Sequence, residues 1–297
     1  MELRVLHYFL AVAREQSISA AAQSLHLTQP TLSTQLKALE EELGKQLLVR
    51  GTKGSRKVTL TEEGMILRKR AEEILTLVNK AEEEIAHSDD TVVGTVSIGA
   101  GETDIVRYFA KAARTLQKRY PDIRYQISSG NAEYVLEYLD KGLIDFGLVF
   151  GEVDQRKYQS LPLPAKDTWG VLMRRDSPLA EKEAITPQDL WDKPLLLSHQ
   201  RGGSGALFRW LKRDASQLNV VATYNLVYNA SLLVDEGLGY ALTLDKLIHT
   251  EGTDMCFRPL SPGMEATATI VWKKYQVFTK AADTFLRCLK EQLPQVG

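Results

Sequence analysis

The chain is poor in the residues that hold metals or form cross-links. Its two cysteines, Cys256 and Cys288, lie far apart with no CxxC spacing, which excludes a disulfide framework and argues against a zinc site. The five histidines, His7, His26, His87, His199 and His249, are dispersed without ligand spacing, so no metal and no cofactor are expected. No unbroken apolar run is long enough to span a bilayer, and the first residues lack the basic-then-apolar pattern of a secretion signal. The expected location is the cytoplasm. Catalytic constellations are missing too. Gly99-Ala100-Gly101-Glu102-Thr103-Asp104 starts like a dinucleotide fingerprint, but an acid stands at the third glycine position and would oppose pyrophosphate. Gly202-Gly203-Ser204-Gly205 starts like a nucleophile elbow, but Ala206 replaces the closing glycine and no ordered His or Asp constellation follows. The chain is not expected to be an enzyme.

What is present is ordinary for a globular protein of two or three compact units: 44% hydrophobic and 25% charged residues. The net charge of −1 hides a local excess, since Met1 to Val58 carries eight Lys/Arg against five acids. Within that stretch, SISAAAQSLHLTQPTLSTQLKALEEE, Ser17 to Glu42, reads as two short helices joined by a tight polar turn. Ser17 or Ser19 offers an oxygen to the first helix start, and Ala21, Ala22 and Leu25 share one face. Thr28 can cap the second helix, with Pro30 in its first turn, where a missing N–H costs little. Leu32, Leu36, Leu39 and Leu43 form its core stripe. The opposite face carries Gln29, Thr31, Ser33, Thr34, Gln35 and Lys37, donors and acceptors suited to base edges or phosphates.

Lys45 to Lys57 follows with Lys45, Arg50, Lys53, Arg56 and Lys57, no acid, and two glycines at its tip. It reads as a basic hairpin wing, each of whose phosphate contacts would steepen the salt dependence of DNA affinity by about 0.9 in log–log slope. A charge run alone is usually solvated surface; its place beside the helix pair favours a role on DNA.

These residues resemble the LysR-type transcriptional regulators, through LRVLHYFLAVAREQSISAAAQSLHLTQPTLSTQLKALEEELGKQLLVR and through VTLTEEG, Val58 to Gly64. The resemblance runs over the whole chain. The family often has arginine after the recognition-helix serine; here Thr34 stands there. The family also includes peroxide sensors, but nothing in the sequence marks Cys256 or Cys288 as an activated thiol.

From Thr61 to His87 there is no proline, and Leu67, Ala71, Ile74, Val78, Ala81 and Ile85 make a heptad seam amid charged neighbours. A helix packed on its own domain would also satisfy this pattern. The resemblance implies instead a linker helix that pairs with its copy, giving a homodimer and beyond it a homotetramer, with double-stranded DNA as partner and RNA polymerase as a further contact.

After Ser88-Asp89-Asp90, strand-like TVSIGA, IRYQISSG and DFGLVF alternate with helix-like segments, and a second such set begins near Trp169. The expected fold is therefore α/β: an N-terminal α-helical winged helix-turn-helix (1–60), a linker helix (61–90), and a two-lobed domain (91–297) resembling periplasmic solute-binding proteins. Lobe I takes about 91–162 and 268–297, lobe II about 163–267. Ligands of such folds sit where strand ends meet helix N-termini. Candidate effector contacts are Gly101, Glu102 and Thr103; Ser128, Ser129, Gly130 and Asn131; Ser198, His199, Arg201, Gly202 and Ser204; Tyr228 and Asn229; and Thr243. Arg201 and the helix starts favour an anion, whereas Glu102 would repel one or bind an amino group. Two functions fit: an effector-responsive regulator, or a solute-binding or enzymatic α/β protein whose N-terminal helices only associate. The basic wing and the polar helix face favour the first.

Overall fold

The computed structural model describes residues 1–50, 57–86, 92–198 and 201–293, and of residues 84, 86 and 201–204 the backbone alone. The chain divides into two compact units, Met1–Ser88 and Asp89–Gly297.

In the first unit α1 (Leu3–Glu15) turns Leu6, Phe9 and Val12 inward and ends at Gln16, whose left-handed backbone (φ 50°) reverses the chain. The Gln16 carbonyl accepts the Val58 N–H at 2.8 Å, tying the helix end to the hairpin. Ser17 caps α2 (Ile18–Ser24), accepting from the Ala20 N–H at 3.3 Å, and the buried Ala21 and Ala22 leave room for neighbouring helices. Thr28 caps α3 (Gln29–Leu43). Leu32, Leu36 and Leu39 fill the core as the spacing predicts, but Leu43 does not: it is 41% exposed, because the helix ends at Gly44 (φ 64°) beyond the core. Then β1 (Leu48–Arg50) pairs antiparallel with β2 (Val58–Leu60), Arg50 opposite Val58. The wing tip, with Lys53 and Arg56, lies outside the described residues.

Thr61 starts α4 (Glu62–Ala86): its hydroxyl donates to Gln46 O at 2.7 Å and accepts from Gly64 N at 2.9 Å. The expected single seam on α4 is divided. Ala71, with Leu75 rather than a seam residue, is buried against Leu6 of α1, while Leu67 and Ile74 pack beside them half-buried. In the later part the seam residues Ala81 and Ile85 are exposed, as is Leu77 outside the seam, and Met65 and Ile66 are exposed at the start of the helix. The 3.6-residue period explains the switch: a strict 3.5 seam drifts around a straight helix, so the face that meets α1 takes up Leu75.

The second unit holds β3 (Gly94–Ala100), α5 (Arg107–Gln117), β4 (Ile123–Ser129), α6 (Ala132–Asp140), β5 (Phe146–Phe150) and β6 (Tyr158–Arg174). There follow α7 (Pro187–Leu190), β7 (Leu195–Ser198), α8 (Arg201–Leu211), β8 (Val220–Tyr224), α9 (Val227–Asp235), β9 (Tyr240–Leu244), β10 (Met255–Pro259), β11 (Glu265–Lys273) and α10 (Lys280–Glu291). Strand order is β4-β3-β5-β11-β6-β9-β7-β8, with β10 also on β6. Parallel pairs β3–β4 and β3–β5 build one half; β7–β8 and β7–β9 build the other. The 17-residue β6 belongs to both, pairing β11 along Tyr158 to Thr168 and then β9 and β10 from Trp169 onward.

Each half has its own core. Phe109, Phe146 and Phe285 pack with Ile98 on one face of the first, and Val135, Leu139 and Val271 on the other. In the second, Leu195, Leu211 and Leu242 fill one face and Leu196, Val227 and Val234 the other. Sheets covered on both faces explain why strands such as Leu195-Leu196-Leu197 read as continuous apolar runs.

Candidate functional site

Two sites emerge, one in each unit. In the first, Gln29, Pro30, Thr31, Thr34 and Lys37 are exposed along α3, with Ser33 and Gln35 half-buried. The Thr28 and Thr31 hydroxyls meet at 2.8 Å, and Ser19, exposed on α2, donates to Gln29 Oε1 at 3.1 Å, which orients the first turn of α3. Arg50 reaches from β1 over this helix: Nη1 is 3.5 Å from Ser33 Oγ, and Nη2 is 3.9 Å from Glu40 Oε2. Glu40 in turn accepts from Leu47 N at 2.8 Å and Leu48 N at 3.0 Å through Oε1, anchoring the hairpin to α3. The sequence carries no local signal for this tie, because Glu40 and the two amides are seven and eight residues apart. Lys37 is 3.7 Å from Glu41, an exposed pair that DNA phosphate could replace at small cost. Lys57, at the start of the returning strand, is exposed.

In the second unit a cavity of about 260 Å³ opens where β3, β8 and β9 end and where β6 and β11 cross. Gly101, Glu102, Gly130, Ser198 and Thr243 line it, with apolar walls from Phe150, Trp169, Leu244, Leu247 and Met264. A neighbouring cavity of about 250 Å³ shares Gly101, Glu102 and Gly130 and adds Ser129, Asn131 and Tyr134. Asn131 also caps α6, accepting from Tyr134 N at 2.8 Å. Sequence reasoning missed the walls: Trp169 and Met264 come from the crossing segments, and Tyr224 and Asn225 from the end of β8. A strand-end signal at Tyr224-Asn225 was there to be read. Tyr224 is buried and donates to Leu242 O at 2.6 Å, and burial raises its pKa to about 12.

Several candidates are placed elsewhere. Thr103 is buried; its hydroxyl donates to the Asp167 carboxylate and accepts from Ile105 N at 3.0 Å, so it serves the fold and not the cavity wall. Burial pushes the Asp167 carboxyl above its usual range; the Thr103 bond opposes this, and Asp245 adds to it. Tyr228 and Asn229 lie within α9, which starts earlier than the capping pattern indicated; both are exposed and off the cavity lining. Ser128 is half-buried in β4 and off the lining of both cavities. His199 lies outside the described residues, as do the side chains of Arg201 and Ser204, while Gly202 is placed by its backbone in the first turn of α8. Cys256 and Cys288 are buried, and burial raises the Cys288 pKa, the reverse of an activated thiol. Among the described residues no group of His, Cys, Asp or Glu could hold a metal ion, and no helix is long and apolar enough to cross a membrane.

Comparison with known proteins places both units. Residues 3–65 match the model of the bacterial regulatory helix-turn-helix protein, lysR family, and residues 89–294 match the LysR substrate binding domain. The Hca operon transcriptional activator HcaR of Escherichia coli (strain K12) is 30% identical over 100% of this chain and 99% of its own length. The transcriptional regulator BsdA of Bacillus subtilis (strain 168) is 38% identical over 49% of each chain. In fold, the chain is similar to CbnR, a LysR family transcriptional regulator, with a TM-score of 0.76 and 19% identity over 99% of this chain and 100% of that one. A second CbnR structure, complexed with its target DNA, gives a TM-score of 0.76 and 21% identity over 98% and 99% of the two chains. With both of its units matched, the chain belongs to the LysR family of transcriptional regulators, homo-oligomeric proteins that bind DNA and respond to small-molecule effectors and are not enzymes.

Proposed function

We propose that residues 1–60 read duplex DNA through the exposed face of α3, with Arg50 and the wing on phosphates. Residues 61–90 would join two copies, and residues 91–297 would bind the effector in the cavity between strand ends. The observation that carries this is the division of α3: Leu32, Leu36 and Leu39 are at most 2% exposed, while Gln29, Thr31, Thr34 and Lys37 are left to solvent on a helix that needs no further partner for folding. In support, one structure similar in fold holds its target DNA. The protein works in the cytoplasm as a homodimer, or as a homotetramer built from two such dimers, with RNA polymerase as a further contact. A ligand filling the cavity favours one arrangement of the two halves joined by β6 and β11 and so shifts the regulator between states. The test is a mobility shift on promoter-length duplex DNA with Gln29→Ala, Ser33→Ala and Arg50→Ala. Loss of binding in these variants supports the reading; undiminished binding in all three overturns the placement of the DNA-reading surface.

A further inference from the structure

Glu102, in the loop after β3, is half-buried and borders both cavities. Its Oε2 accepts the N–H of Val227, the first residue of α9. The first turn of a helix is where an anionic ligand gains most, from unpaired amides and the helix dipole together. Here the protein seats its own carboxylate there. Among the described lining residues of the larger cavity the other charged one is also an acid, Glu265, whose exposed side chain pairs with Lys166 at 2.5 Å. Among the described lining residues there is no lysine, arginine or histidine. A carboxylate entering this space would face the Glu102 carboxylate and find its best amide taken. A cation would find the Glu102 carboxylate, and the aromatic rings of Phe150 and Trp169 offer it further attraction.

Resting on the reading of this cavity as the effector site, we propose that the effector is a primary amine: a protonated ammonium held by Glu102, on an apolar body small enough for about 260 Å³ between Trp169, Leu244 and Met264. Glu102 is thereby the residue that sets the charge of the ligand. Glu102→Gln keeps a side-chain oxygen for Val227 N while removing the charge, so it separates the two roles of this side chain.

The test is calorimetric titration of the full-length protein with three probes of one body: 2-phenylethylamine, 2-phenylethanol and phenylacetate. The amine is expected to bind about tenfold or more tightly than phenylacetate, as a charge-assisted hydrogen bond implies, and to lose that margin in Glu102→Gln. Ala266→Trp, checked for folding by circular dichroism, fills the cavity and is expected to abolish binding. Equal amine affinity in Glu102→Gln and wild type overturns the proposal, as does failure of all three probes to bind. Phenylacetate binding more tightly than the amine, and lost in both Arg201→Gln and Ala266→Trp, overturns the ligand class while leaving the cavity as the effector site. Binding that survives Ala266→Trp overturns both.

Discussion

Thr103 donates its hydroxyl to the carboxylate of Asp167, and both side chains are buried where β6 passes from one half of the second unit to the other. Burial makes the charged Asp167 costly, so its pKa stands above the ordinary carboxylate value; Thr103 opposes that, Asp245 adds to it, and Lys246 opposes it again. A raised folded-state pKa means the folded chain holds this proton more tightly than the unfolded chain. The stabilisation is complete below the ordinary value of about 4 and is lost as pH rises through the raised value. Asp167→Asn keeps an acceptor for Thr103 and has nothing to ionise. In urea titrations it is expected to gain on the wild type by about 1.4 kcal/mol for each pH step of one between about 4 and the raised value, and to hold a constant margin above that. Thr103→Val leaves the carboxylate without its donor and should cost about 1–3 kcal/mol at neutral pH. Parallel stability curves for Asp167→Asn and the wild type would contradict this account.

The Glu40 tie yields a prediction for the first unit. Its Oε1 accepts two adjacent backbone amides, Leu47 N and Leu48 N, at 2.8 and 3.0 Å. Glu40→Ala leaves both amides beside a buried leucine pair without that acceptor and should cost about 1.5–3 kcal/mol, measured by urea denaturation. Glu40→Gln, which still offers an oxygen, should cost less. Gly64→Ala strikes the same junction from the other side. A Cβ there would lie 2.2 Å from Leu47 O, a backbone atom, so the start of α4 must shift, at about 1–3 kcal/mol or more.

Gly64 also marks how far the sequence could be read. Local signals transferred well: the caps Ser17 and Thr28, the core stripe Leu32, Leu36 and Leu39, and the alternation of strands and helices are all properties of neighbours along the chain. What was not legible depended on long-range approach. Nothing near Gly64 says that Leu47 O will pass within reach, nothing near Glu40 says that it will hold the hairpin, and nothing near Thr103 says that Asp167 will take its hydroxyl. Trp169 and Met264 were hidden for the same reason, since the cavity wall is made by strands that cross far from their own neighbours in sequence. In the cavity, the glycines and polar strand ends were visible, and the apolar walls were not.

On DNA, Arg50 and Thr34 allow opposite tests. Arg50→Ala removes a cation held over α3 by Ser33 and Glu40 and should make the slope of log affinity against log salt shallower by about 0.9. Thr34→Arg adds a cation to an exposed position of the same helix and should steepen that slope by a similar amount. Gln29→Ala, by contrast, should lower affinity for a specific site by about 1–3 kcal/mol with the slope unchanged, if its amide meets a base edge. Titrations at several salt concentrations separate the two kinds of contact.

The last prediction concerns the division of α4. Leu75, 6% exposed, and Ala71, fully buried, are spent on Leu6 within the unit, so Leu75→Ala should lower the stability of the unit by about 2–5 kcal/mol. Leu77 and Ile85, 39% and 75% exposed, lie two turns apart on the open face and make no such contribution. Each apolar side chain of this kind gains about 1.5–3 kcal/mol when a second copy covers it, and a two-fold pair covers it twice. Leu77→Glu with Ile85→Glu should therefore turn the oligomer into monomers in sedimentation velocity at micromolar concentration, while the unfolding midpoint of the monomer stays above that of Leu75→Ala. The outcomes are distinct in kind, because an interface residue makes apparent stability depend on protein concentration and a core residue does not. Retention of the oligomer in the double variant would mean that the copies are held together by a surface other than the open face of α4.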